Sequence, residues 1–128
     1  MNAALRFKAA VEAGDIVGAT RFFSDDITFH SPVKFRPFEG IDTVRALFNV
    51  LQRTFEDFRY VGQYDGPDGH VLRFRTVVAG KRVEGIDLIE LDAEGRIGTF
   101  TVMIRPQSAL TAVGEAIWAG LVADGVVS

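Results

Sequence analysis

Apolar positions recur along the chain with two periods, and each change of period marks a boundary between helix and strand. Ala4, Phe7 and Val11 stand at helical spacing between Ala3 and Ala13, and Gly14 supplies a C-terminal stop. Asp15 can cap a second short helix, Ile16 to Phe23, before Ser24-Asp25-Asp26 breaks the pattern. Ile27 to His30 reads as a short strand. Ser31-Pro32 leaves it, because proline cannot donate to a ladder, and Phe35 to Phe38 forms a second extended piece ending at Glu39-Gly40. The longest helix opens at Ile41 or Asp42, with a stripe of Val44, Leu47, Phe48, Leu51, Phe55 and Phe58 that needs a sheet to cover. Phe58 to Tyr64 alternates as a strand, Asp65 to Gly69 is a turn cluster, and three further strands follow: Val71 to Val78, Val83 to Leu91 and one from Ile97 to Ile104. After Arg105-Pro106 a last helix carries Leu110, Val113, Ile117 and Leu121, with Trp118 beside them. Helices first and a meander later predict an α+β domain over residues 1–128, in which a strongly curved antiparallel sheet wraps the long helix, flanked by two short N-terminal helices and a C-terminal one.

Turn chemistry then sets the register. Closing the first hairpin at Gly80-Lys81 pairs Val78 with Val83, Thr76 with Gly85, Phe74 with Asp87 and Leu72 with Ile89. Closing the second at Asp92-Ala93-Glu94-Gly95 sets Ile89 beside Thr99, Asp87 beside Thr101 and Gly85 beside Met103. One face is then apolar except for Asp87 and a few threonines, and the other carries Ile86, Leu88, Phe100, Val102 and Ile104. A one-residue slip would exchange the two faces, so the turns carry the inference.

Composition removes several classes of function. A net charge of −3 without a run of Lys or Arg leaves no footprint for nucleic acid or an anionic membrane. The absence of cysteine excludes disulfides, thiolate catalysis and sulfur-ligated metal. The two histidines, His30 and His70, are not paired at metal-ligand spacing, so neither a metal nor another cofactor is expected. No segment has eighteen unbroken apolar residues, and a soluble, cytoplasmic protein is expected. Eleven phenylalanines predict an aromatic core.

Ala13-Gly14-Asp15 followed by Phe22-Phe23-Ser24-Asp25-Asp26, Ser31-Pro32-Val33 with Glu39-Gly40 after it, and Gly85-Ile86-Asp87 eight residues before Gly95-Arg96-Ile97 resemble the nuclear transport factor 2-like superfamily, in its SnoaL-like polyketide cyclase and ketosteroid isomerase branch. The resemblance runs from about Ala3 to Arg105 and implies a cone whose mouth admits an apolar ligand, in a protein that dimerises through its outer sheet face. It places Asp87 where steroid isomerases keep a neutral Asp that hydrogen-bonds the developing oxyanion. Ser31 falls where they keep the proton-moving Asp, and Phe7 where they keep the oxyanion-hole Tyr, so two of the three groups are lost. Limonene epoxide hydrolases, another branch, need an Arg and a second Asp where this chain has Gly85 and the Thr101 to Met103 region.

The residues themselves offer Asp87 as a buried general acid or base, its pKa raised by Leu72, Phe74 and Ile89, with Thr101 as its obvious side-chain partner. His30, just before the Ser31-Pro32 corner, is the candidate second titrating group. Ser31, Phe35, Phe38, Tyr60, Phe74, Gly85, Thr101, Met103 and Trp118 are the candidate ligand-binding residues. Gly85, inside a strand, leaves room for a ligand or permits a bend. Two readings stand: a small isomerase or cyclase acting on an apolar carbonyl compound, and a non-catalytic module that binds an apolar small molecule or serves as a homodimeric interaction domain.

Overall fold

A computed structural model describes residues 1–127. Helix α1 (Ala3–Glu12) begins where the Asn2 side chain accepts a hydrogen bond from Leu5 N, and it buries Ala4, Phe7, Ala10 and Val11. Gly14 ends it in the left-handed region at φ +86°, with Asp15 N donating to Ala10 O. The expected second helix shrinks to a 3₁₀ turn, Gly18–Phe22. Asp15 Oδ1 accepts from Gly18 N and the Thr20 hydroxyl donates to Val17 O, and such local bonds compete with regular helix. Phe23 then starts strand β1 (Phe23–His30), so Ser24-Asp25-Asp26 lies within the strand rather than preceding it, and the pairing shifts register between Phe23 and Thr28.

Strand β2 is only Phe38–Glu39, because Pro37 ends any ladder before it. Helix α2 (Ile41–Thr54) turns Val44, Leu47, Phe48 and Leu51 inward as its stripe predicts, but it ends before Phe55 and Phe58, and the C-terminal helix rather than this one is the longest. Strands β3 (Glu56–Asp65), β4 (His70–Val78), β5 (Lys81–Leu91) and β6 (Ile97–Arg105) form the meander, and α3 (Gln107–Ala123) closes the chain. The sheet order is β2-β1-β6-β5-β4-β3, and the β1–β6 pair is parallel, which makes the sheet mixed rather than wholly antiparallel. The architecture is thus α+β, with three helices on the inner face of a curved, unclosed six-stranded sheet. His70 lies with Nδ1 2.7 Å from Asp65 Oδ1 and Nε2 3.4 Å from Asn2 Nδ2, which ties the β3–β4 hairpin to the start of α1.

Phe7, Phe23, Phe29, Phe48 and Phe100 interlock on the inner face with ring centroids 5.2 to 6.3 Å apart. Each of these rings brings a large apolar area out of water without a polar atom to satisfy. A second group, Phe55, Phe58 and Phe74, packs beneath α3 with Val78, Val83, Ala109 and Val113.

Two registers differ from expectation. The first hairpin turns at Ala79-Gly80, both at positive φ (50° and 77°), so Val78 pairs with Lys81, Phe74 with Gly85 and Leu72 with Asp87. That is a slip of two residues, which changes partners but keeps every side chain on its face. In the second hairpin the turn is as read, with Asp92 N donating to Arg96 O, yet Gly98 is an extra residue between the partners of Leu91 and Glu90. This bulge turns the rest of β6 over: Asp87 stands opposite Val102, and Ile89 opposite Phe100. Phe100, Val102 and Ile104 therefore belong to the inner face with Asp87, whereas Thr101 and Met103 share the outer face with Ile86 and Leu88. The expected apolar outer patch loses three of its five members.

Candidate active site

Asp87 is 5% exposed, in the middle of β5, on a strand face shared with Ile89 and opposite Leu72 of β4. Its side-chain partner is Tyr60 rather than Thr101: the phenol donates to Asp87 Oδ2 at 2.7 Å. Tyr60 reaches it across β4, since it pairs with Phe74 while Phe74 pairs with Gly85, two residues from Asp87. The edge of the Phe58 ring steadies the phenol, at 5.2 Å between centroids. Burial pushes the Asp87 carboxyl up to about 7, and the hydrogen bond from Tyr60 only partly opposes this by stabilising the ionised form. Burial first, and the neighbouring Asp87 second, hold the Tyr60 phenol well above its ordinary range, so it remains a neutral donor.

Both side chains face an apolar cavity of about 330 Å³ between the helices and the sheet. Phe7, Phe48, Phe100, Val102 and Val113 supply walls, the segment Ser31 to Lys34 lines the cavity together with Gly114 and Trp118 of α3, and Val33 lies against Gly114. Of the expected ligand-binding residues, Ser31, Phe38, Tyr60, Phe74 and Trp118 lie around this cavity with Asp87. Thr101 and Met103 do not, because of the bulge at Gly98. Phe35 projects from its loop with 99% of its surface exposed, and with His30, Thr101 and Met103 it borders a second, more open depression that shares Ser31, Pro32, Lys34, Val102 and Ile104 with the cavity. His30 pairs with Thr101 on the outer face, so it is no partner for Asp87. Gly85 makes room for protein rather than ligand: a Cβ there would lie 2.6 Å from Phe74 Cζ and 2.5 Å from the Met103 carbonyl oxygen.

Among the described residues the titratable side chains around the cavity are therefore Asp87, Tyr60 and Lys34. Among the described residues no three His, Asp or Glu side chains cluster as metal ligands do, and no helix is long and apolar enough to cross a membrane. The Tyr60 to Asp87 bond was invisible to sequence reading because β3 pairs with β4 through two irregularities, at Glu56/Arg59 and Tyr60/Gly62, that no turn residue announces.

A curved sheet closed over by helices around a buried acid describes a class of small cavity domains, and comparison places the chain within it. The SnoaL-like domain profile matches residues 4–99, and the chain belongs to that family, within the nuclear transport factor 2-like superfamily. A steroid delta-isomerase from Pseudomonas aeruginosa is 31% identical and superposes with a TM-score of 0.89, covering 98% of this chain and 93% of its own. An uncharacterised protein with a cystatin-like fold from Silicibacter pomeroyi is 27% identical, with a TM-score of 0.88 over 96% of this chain and 87% of its own. SalBIII, an epoxide hydrolase/cyclase-like enzyme in pyran ring formation in salinomycin, is 18% identical with a TM-score of 0.67, over 84% of this chain and 90% of its own, a likeness of fold alone. No functionally curated protein matches the sequence.

Proposed function

We propose that the protein is an isomerase- or cyclase-type enzyme that takes a compact apolar carbonyl compound into its cavity and uses Asp87 to move a proton on it. The observation that carries this reading is the Asp87 carboxyl, buried in an apolar cavity, held by Tyr60 at Oδ2 and with its other oxygen given no hydrogen-bond partner by the described residues. A carboxyl with a pKa of about 7 is present in both forms at neutral pH, which suits a group that must take a proton and return it. Ionised Asp87 would remove the proton from the carbon beside the carbonyl, and the resulting neutral acid would deliver it at a second carbon. Tyr60 stabilises the ionised form and orients the carboxyl. A volume of about 330 Å³ sits at the small end of ligand sites, which run from about 300 to 1,000 Å³, and favours a compact ligand. Similarity to a steroid delta-isomerase supports the reaction type.

The test is conversion of β,γ-unsaturated ketones, monocyclic to steroidal, into conjugated enones, followed by ultraviolet absorbance with wild type and Asp87→Asn. Turnover lost in the variant supports the reading; no turnover of any member between pH 6 and 8 defeats it. A non-catalytic carrier is the second reading, favoured by Ser31 standing where similar enzymes keep a carboxylate. That reading expects equal ligand binding by both proteins and no conversion. We further propose a homodimer through the outer face, now centred on Ile86, Leu88 and the 55% exposed Met103, and a cytoplasmic location.

A further inference from the structure

Resting on the reading of this cavity as a ligand site, we infer that its ligand carries an anionic group opposite the carbonyl end, received at the mouth by Lys34 and Ser31. The two polar regions of the cavity differ in kind. The Asp87 and Tyr60 pair lies buried on the sheet, while the other polar side chains of the lining, Ser31 and Lys34, lie together in the loop after β1. Both are donors. Ser31 Oγ accepts long bonds from Val33 N at 3.4 Å and Lys34 N at 3.3 Å, which occupies its lone pairs and leaves its hydrogen to donate. The Lys34 ammonium sits 4.1 Å from the centroid of the Phe38 ring, itself part of the cavity wall. Among the described residues no carboxylate lies within 4.0 Å of it. A cation held over a wall ring with no carboxylate of the described residues against it, beside a hydroxyl able to donate, matches a carboxylate, sulfate or phosphate on an otherwise apolar molecule. Among the described residues Asp87 is the only acid in the lining.

Isothermal titration with 2-naphthol and 6-hydroxy-2-naphthoate isolates the claim, since the two differ only by the carboxylate. Wild type should bind the naphthoate about fivefold or more tightly, as an ion pair worth about 1 kcal/mol gives. Lys34→Met should abolish that preference while 2-naphthol binding is unchanged, Lys34→Arg should keep it, and 0.5 M NaCl should weaken only the naphthoate. Equal binding of the two compounds, or a preference that survives in Lys34→Met, overturns the inference and leaves the cavity reading intact. Binding of neither compound overturns both.

Discussion

Replacing Asp87 by Asn removes one ionisation from an apolar site, and the consequence is a stability difference that depends on pH. A carboxyl whose pKa rises from 3.8 when exposed to about 7 in the fold resists ionisation there. Its contribution is nil well below the lower value; stability is then lost as pH rises through it, and the loss levels off above the higher one. At 1.36 kcal/mol per unit, the penalty grows from about 2 kcal/mol at pH 5 to about 4 kcal/mol at pH 8. Asn keeps an oxygen for the Tyr60 phenol and never ionises, at a pH-independent cost of about 1 kcal/mol for a weaker bond and an unpaired amide. The variant should therefore lie within about 1 kcal/mol of wild type at pH 5 and be more stable by about 3 kcal/mol at pH 8. Urea unfolding, followed by far-UV circular dichroism at pH 5, 6, 7 and 8, reads this directly. A difference that is flat with pH, or an Asn variant less stable at pH 8, would mean that Asp87 is an ordinary ionised acceptor, and the proton-transfer role would fall with it.

Tyr60→Phe removes the hydrogen bond that draws the Asp87 pKa down, so the carboxyl should titrate above about 7; a carbon NMR titration showing an unchanged or lower midpoint contradicts the assignment. Gly85→Ala drives a methyl into Phe74 and the Met103 carbonyl and should cost about 1–3 kcal/mol, seen as a fall in Tm, with weaker ligand binding as the Phe74 ring is displaced toward the cavity. Phe100→Ala, in the centre of the aromatic cluster, should cost about 3–5 kcal/mol, whereas an exposed patch residue at that position would cost almost nothing in urea unfolding. Met103→Glu should convert the proposed dimer to monomer in sedimentation, and a wild-type protein already monomeric at micromolar concentration refutes the dimer.

Element order and type were legible because helical and alternating periods are strong in this chain, and the family resemblance followed from spacing. The inner face of β5 was legible too, for a reason of parity. The Ala79-Gly80 turn puts an alanine at positive φ, which sequence does not advertise, but the resulting slip of two residues leaves Asp87 pointing inward. At Gly98 the slip is of one residue, and it reversed β6. A glycine inside a strand is a sign of a bulge, and Gly98 carries that sign as Gly85 does. Tyr60 was recognised as a cavity residue, while its bond to Asp87 depended on the irregular β3–β4 pairing. His30 misled because its neighbour in sequence, Ser31, does reach the cavity, whereas alternation sends His30 to the other face.

The bulge at Gly98 also separates two properties that a strand ordinarily couples. Ile97, Thr99 and Phe100 would alternate regularly if Gly98 were absent, and Thr99 would still stand opposite Glu90. Deleting that single residue would leave the inward and outward assignments of β6 untouched and would remove only the bend a bulge imposes. The curvature of the sheet at this point can therefore change by one deletion without rewriting which residues of β6 face the chamber.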